Sequence, residues 1–201
     1  TIALHCPAEA TKQLYSRTPG LPDNAFNHDG QLTKQEIRSA TLSALAPFPG
    51  ELLWDVGSGS GSIAIEWMRH HPANRAIAIE PREDRQSLIE TNSRKLGVPQ
   101  LNLVKGSAPD APADLSAPDA IFIGGGLSHE GVFEICWSSL KQGGRLVSNA
   151  VTIEGEQRLF DIHNRFGGTL TRLNISRAEK IGGFTSWKPF RQVTQIRLVK
   201  E

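Results

Sequence analysis

Asp55, Gly57, Gly59, Gly61 and Glu80 are the residues of this chain whose types and spacing point to chemistry. Asp55 lies in an apolar run from Leu52 to Val56. The glycines follow at alternate positions, and an apolar stretch from Ile63 to Met68 comes next. That order predicts a strand, a tight turn and a helix. Glycine permits positive φ and lets the backbone approach a ligand with no Cβ in the way. A helix N-terminus offers unpaired N–H groups to an anionic group such as a carboxylate. Glu80 closes the next apolar strand, roughly 20 residues past the glycines, where an acid that grips ribose hydroxyls belongs.

Two cofactor classes use such a corner. A dinucleotide fold wants G-x-G-x-x-G, with the last glycine packing helix on strand. Here the spacing is G-x-G-x-G with an acid ahead of it. That pattern resembles the first motif of class I S-adenosyl-L-methionine (SAM)-dependent methyltransferases. On this reading Asp55 and the loop Gly57, Ser58, Gly59 and Gly61 serve the amino acid end of the cofactor. Glu80 takes the ribose diol. The turn at Ser107 and Ala108, after a third strand, borders the adenine. Many class I enzymes carry an acid at the Ser107 position, so here backbone groups would read the adenine. Ile123 is followed by Gly124, Gly125 and Gly126. Enzymes that methylate exocyclic amines carry Asp/Asn-Pro-Pro-aromatic there, so an amino acceptor is disfavoured. The glycines, Gly124 first among them, leave flat space beside the methyl group, which suits a large planar acceptor. A purely structural turn is the plainer alternative.

The elements that must position these groups alternate. Strands are expected at Leu52–Val56, Ala76–Glu80, Leu101–Lys105, Ala120–Ile123 and Arg145–Asn149. Helices are expected near 33–45, 62–71, 82–96, 132–140 and 154–166. Thr33 and Glu36 form a capping box for the first helix, and Gly97 suits the C′ position of the third. Two β-rich runs, 169–175 and 192–199, read as a closing antiparallel hairpin at one edge, joined by a long connection with Gly182, Gly183 and Pro189. This predicts an α/β, Rossmann-like class I methyltransferase fold: a mostly parallel seven-stranded sheet with helices on both faces. Ligands of such sheets bind beyond the C-terminal strand ends, where the glycine loop, Glu80 and both later turns fall.

With 201 residues, 38% hydrophobic and 21% charged, the composition suits one globular domain. No apolar run is long enough to span a membrane. Cys6 and Cys136 lie in unrelated contexts without metal or redox spacing, which fits a cytoplasmic protein and no metal site. The net charge is +1, but from Arg165 to Lys200 eight Lys or Arg stand against Glu179 alone, a net of +7. That window is either a solvated face or a rim attracting a polyanion. The chain starts at Thr1, as expected of a domain cut from a longer two-domain chain, with a segment 1–31 ahead of a methyltransferase domain 32–201.

Several segments together resemble one family. They are Leu21-Pro-Asp-Asn-Ala-Phe26, Leu32-Thr-Lys-Gln-Glu-Ile-Arg38, Leu53 to Ser62, Lys105-Gly-Ser-Ala-Pro109 and Ile123-Gly-Gly-Gly126. They are similar to the C-terminal domains of precorrin-6Y C5,15-methyltransferases (decarboxylating) of cobalamin biosynthesis and to their stand-alone counterparts. The resemblance implies methylation of C15 of a precorrin tetrapyrrole with SAM, and decarboxylation of the C12 acetate. It also implies a partner N-terminal domain methylating C5, a homotetramer, and closure of the Thr33 region over the cofactor. No pyridoxal or thiamine motif accompanies the site, so the tetrapyrrole itself would be the electron sink. His129, Glu130, Arg177, Lys180 and Lys188 are the candidates to orient the acetate or supply a proton, each with an ordinary surface role as the alternative. The rival is a tRNA or RNA methyltransferase whose basic C-terminal segment meets phosphates.

Overall fold

The computed structural model describes residues 2, 3, 5, 14–112 and 114–201. Cys6 lies outside the described residues. Strand β1 (Leu52–Val56) is buried along its whole length because alternate residues face different helical layers. Leu53 joins the core with helices α1 (Gln35–Leu45), α2 (Ser62–His70) and α3 (Glu83–Lys95). Leu52, Trp54 and Val56 join the core with α4 (Val132–Ser139) and α5 (Ile153–Phe166). Strands β2 (Arg75–Glu80) and β4 (Ala120–Ile123) sort their residues the same way. A sheet covered on both faces is why these strands read as continuous apolar runs. Cys136 of α4 lies in the second core, where burial pushes its thiol up to about 12.

The seven-stranded sheet runs β3 (Asn102–Lys105), β2, β1, β4, β5 (Arg145–Ala150), β9 (Val193–Val199), β6 (Thr169–Leu173). The first five are parallel, and β9 is antiparallel to both β5 and β6. The expected closing pair therefore forms, with the last strand inserted inside the edge strand. The connection between them is a second hairpin, β7 (Ser176–Ile181) and β8 (Phe184–Pro189), turning at Gly182 and Gly183. Sequence patterning reads this stretch as irregular because the hairpin is exposed on both faces, so no apolar alternation marks it.

Helix α3 ends as expected in a Schellman turn: Val98 N–H reaches the Ser93 carbonyl at 2.8 Å and Gly97 N–H the Arg94 carbonyl at 3.3 Å. The capping box of α1 does not form. The helix starts at Gln35 with Lys34 at the N-cap and no cap from its own side chain. Asp23 Oδ1 instead accepts from Gln35 N at 2.9 Å, across twelve residues. Glu36 is drawn away to Arg177, and the Thr33 carbonyl accepts from Arg38 Nη1.

Candidate functional site

The strand order reverses at β1, with β2 and β3 on one side and β4 and β5 on the other. The loops after β1 and β4 lie side by side at that reversal, where doubly wound sheets bind ligands. They touch backbone to backbone: a Cβ on Gly57 (φ 69°) would sit 2.8 Å from Gly125 N. Gly59 (φ 60°) has nothing within 4 Å of its Cβ position and borders a cavity of about 630 Å³.

Two acids hold the glycine loop from behind. Asp55, 1% exposed, accepts on Oδ2 from Ser58 Oγ at 2.7 Å and from Ala64 N at 3.1 Å. It thereby ties the loop to the first turn of α2. Burial pushes its carboxyl up to about 6, the two hydrogen bonds oppose that shift, and the nearby Glu80 charge adds to it. Glu80, also buried, accepts from Gly59 N at 2.8 Å on Oε2 and from Arg82 N at 3.2 Å on Oε1. A carboxylate has about four acceptor positions, so each oxygen keeps one for a diol.

The remaining cavity walls come from the N-terminal segment and from the start of β9. Gly30 to Lys34 and Ile37 line one side; Asn149, Val151, Phe190, Arg191 and Val193 line another. Because β9 is antiparallel to β5, with Ala150 opposite Thr194, the residues ahead of β9 lie at the carboxyl edge of the parallel strands. Asn149 is held by Thr41 Oγ1 at 2.9 Å and by Gln195 Nε2 at 2.8 Å. Arg85 lines the cavity while donating to Asp29 and Gln31, which fastens α3 to the N-terminal segment.

Among the expected cofactor residues, Thr33, Gly57, Ser58, Gly59 and Gly124 border this cavity. Asp55 and Glu80 stand behind its loop. Gly61 is the N-cap of α2, in left-handed conformation. Ser107 and Ala108 follow β3 beside Gly106, whose N–H reaches the Glu80 carbonyl at 3.3 Å, and neither borders the cavity.

The five acid, base or cation candidates are placed apart. His129 and Glu130 are exposed in the turn after β4, with His129 N donating to the Gly126 carbonyl at 2.9 Å. Arg177 donates to both Glu36 oxygens, at 2.9 and 2.6 Å, and to Asp23 at 2.8 Å. Lys188 pairs with Glu179 across the hairpin at 2.8 Å. Lys180 is exposed on β7. None of these five lines the cavity. Sequence reasoning passed over Lys34, Asn149, Phe190 and Arg191, all of which do. The available signal was the antiparallel last strand, which brings the residues ahead of it to the ligand edge.

The basic C-terminal window is mostly spent internally. Arg172 pairs with Glu156, and Arg177 and Lys188 pair as above. Arg197 donates to the Ala44 carbonyl, and Lys200 to the carbonyls of Trp137, Ser138 and Leu140 at the end of α4. A face built of paired charges makes no continuous phosphate track.

A family model described as a precorrin methyltransferase domain matches residues 24–200. The chain belongs to this precorrin methyltransferase family. It is 52% identical over 193 residues to a precorrin-6Y C(5,15)-methyltransferase [decarboxylating] of Sinorhizobium sp, covering 96% of this chain and 47% of that protein. It is 48% identical over 187 residues to the Mycobacterium tuberculosis protein of the same name, covering 93% of this chain and 47% of that one. The chain thus spans about half the length of the curated relatives it matches. The crystal structure of the C-terminal domain of precorrin-6Y C5,15-methyltransferase from Rhodobacter capsulatus superposes with a TM-score of 0.87 at 45% identity, covering 92% of this chain and all of that one.

Proposed function

We propose that this domain transfers a methyl group from SAM to C15 of a precorrin and decarboxylates the C12 acetate, in cobalamin biosynthesis. The observation that carries the reading is the paired glycine loops at the strand reversal, which touch backbone to backbone and border one open cavity. Family membership and the names of the relatives support the substrate class.

The residues fit SAM by their chemistry. Within the loop Gly57–Gly61, Gly59 presents backbone beside open space, suited to the amino acid end. Asp55 and Glu80 set negative charge behind that loop, which favours a ligand carrying ammonium and sulfonium charge. Glu80 keeps acceptor capacity for the ribose diol, Gly124 borders the reacting methyl, and Thr33 closes the wall above; Ser107 and Ala108 stand off this cavity, so their place beside the adenine rests on the family resemblance alone.

The cofactor supplies an already activated methyl group, so the protein's main contribution is alignment, worth several kcal/mol. The flat glycine turn 124–126 lets a planar acceptor lie beside the methyl group. Loss of carbon dioxide leaves its electron pair in the conjugated tetrapyrrole, and a proton must then reach the former acetate carbon. His129 and Glu130, in the same turn, are the candidates for this step, Arg177 and Lys188 being held by acids.

The fused context supplies a C5-methylating N-terminal domain as partner, and the setting is cytoplasmic. Assembly is a homotetramer, supported by the bare apolar side chains of the β7–β8 hairpin: Phe184 is 80% and Trp187 73% exposed, more than an isolated chain normally leaves in one place. Light scattering on the wild type and Trp187→Glu reads this: a monomeric wild type ends the tetramer proposal.

The deciding experiment mixes the protein with SAM and precorrin-6B and reads the product mass. Gain of one methyl with loss of one carbon dioxide is expected. No mass change, with label entering tRNA instead, overturns the reading.

A further inference from the structure

Three cations border the cavity, and among the described residues no Asp or Glu lines it. Arg85 is neutralised by Asp29, 2.9 Å from its guanidinium. Lys34 and Arg191 have no hydrogen-bond or ion-pair partner for their side chains among the described residues. Arg165 and Lys180 also have no such partner among the described residues, but neither lines the cavity, which is what sets Arg191 apart. Arg172, Arg177 and Lys188 all have acids, while Arg197 and Lys200 have carbonyls.

Lys34 is placed against its local electrostatics. It occupies the N-cap of α1, where the helix dipole presents positive charge and an anion is the favoured neighbour. Placing a cation there, on a cavity wall, breaks a local rule at a site where a ligand can compensate it. Both side chains stem from fixed backbone. Asp23 holds Gln35 N at 2.9 Å, next to Lys34. Phe190 N donates to the Ile175 carbonyl at 2.9 Å, and Arg177 stacks on its ring at 4.9 Å, which anchors the residue before Arg191.

We propose that Lys34 and Arg191 form a carboxylate-binding pair on the cavity wall that receives acetate or propionate groups of the tetrapyrrole. This rests on the tetrapyrrole reading above and names the residues that would recognise the substrate. Two sources of carboxylate exist, the substrate's side chains and the amino acid end of the cofactor. The glycine loop and the N-terminus of α2 already provide for the second.

The test compares wild type with Lys34→Gln and Arg191→Gln in three measurements: S-adenosylhomocysteine affinity by calorimetry, KM and kcat for precorrin-6B, and fluorescence titration with coproporphyrin beside its tetramethyl ester. Removing one charge-assisted hydrogen bond from a partly exposed wall predicts about a tenfold rise in KM per variant, with kcat little changed. S-adenosylhomocysteine affinity should stay within about twofold, which also shows that the variants fold. Wild type should bind the tetra-acid more tightly than the ester, and that preference should shrink in both variants. Raising salt should raise the wild-type KM more than that of the double variant. Weakened S-adenosylhomocysteine binding with unchanged precorrin KM would assign the pair to the cofactor and overturn the proposal. Unchanged KM and unchanged porphyrin preference would overturn it outright. Turnover failing in wild type while the charge-dependent porphyrin binding persists would sink the reaction and leave the pair standing. Failure of both would sink both.

Discussion

Replacing Asp55 by Asn removes a titrating group from the most buried corner of the site while keeping its shape and one acceptor oxygen. In the wild type, burial lifts this carboxyl from the ordinary 3.8 to about 6. Between those values the folded protein holds more protons at Asp55 than the unfolded chain does. Stability contributed by Asp55 is therefore present at the acid end of the window and is lost as pH rises through it. Roughly two pKa units at 1.36 kcal/mol each set an upper size of about 3 kcal/mol. Asp23, Glu36 and Asp119 are carboxylates that their cationic partners hold below the usual range. They change stability in the opposite sense, but they are common to both proteins and cancel in a difference. Urea unfolding of wild type and Asp55→Asn across pH 4 to 8 isolates the effect of this one group. The variant's stability minus the wild type's should climb by about 2–3 kcal/mol between pH ~4 and ~6, then level off. A flat difference would show that Asp55 ionises normally in the folded state, and that its bonds to Ser58 and Ala64 offset its burial.

The same ionisation places a negative charge under the glycine loop, so SAM affinity measured by calorimetry should rise with pH up to ~6 in wild type and lose that dependence in Asp55→Asn. Glu80→Ala should weaken SAM binding by about 1–3 kcal/mol, since ribose hydroxyls and Gly59 N lose their acceptor; unchanged affinity would remove Glu80 from the ribose. Gly57→Ala should cost about 2–4 kcal/mol of stability, combining a left-handed backbone with a Cβ 2.8 Å from Gly125 N, whereas Gly59→Ala should cost only about 1 kcal/mol yet still impair SAM binding. Arg38→Met should destabilise by about 3–5 kcal/mol in chemical denaturation, because it strands the buried Glu66 carboxylate 2.6 Å from the lost guanidinium.

The parallel sheet was legible because strands buried on both faces leave continuous apolar runs. β1 and β4 sit at their expected residues, and the glycine loop and its two acids meet at the strand reversal. What sequence patterning missed are features made by distant partners. Thr33-x-x-Glu36 satisfies the local rule for a capping box, yet Asp23 caps the helix from twelve residues upstream. Local rules rank only nearby partners, so they give Glu36 to its own helix when Arg177 of β7, a residue 141 positions away, binds it with two hydrogen bonds. The β7–β8 hairpin escaped notice for the complementary reason: with both faces exposed, it imposes no apolar alternation on its sequence.

These long-range pairs also explain why positive charge was a poor guide to the site. Arg177 stood out as a cation near a cluster of like charges. Its guanidinium is shared between Glu36 and Asp23, and Asp23 also meets Arg38, which meets Glu66 of α2. The chain of ion pairs fastens the hairpin, α1 and α2 around one side of the cavity, and a guanidinium so occupied has little left for a substrate carboxylate. The cations that remain available are those the fold leaves without partners. Lys34 and Arg191 acquire that status from three-dimensional placement, one by standing at a helix N-cap, the other by preceding an antiparallel strand. A count of basic residues along the chain gives Arg191 and Arg177 equal weight; only the partners of each distinguish a structural tie from a group held ready for a ligand.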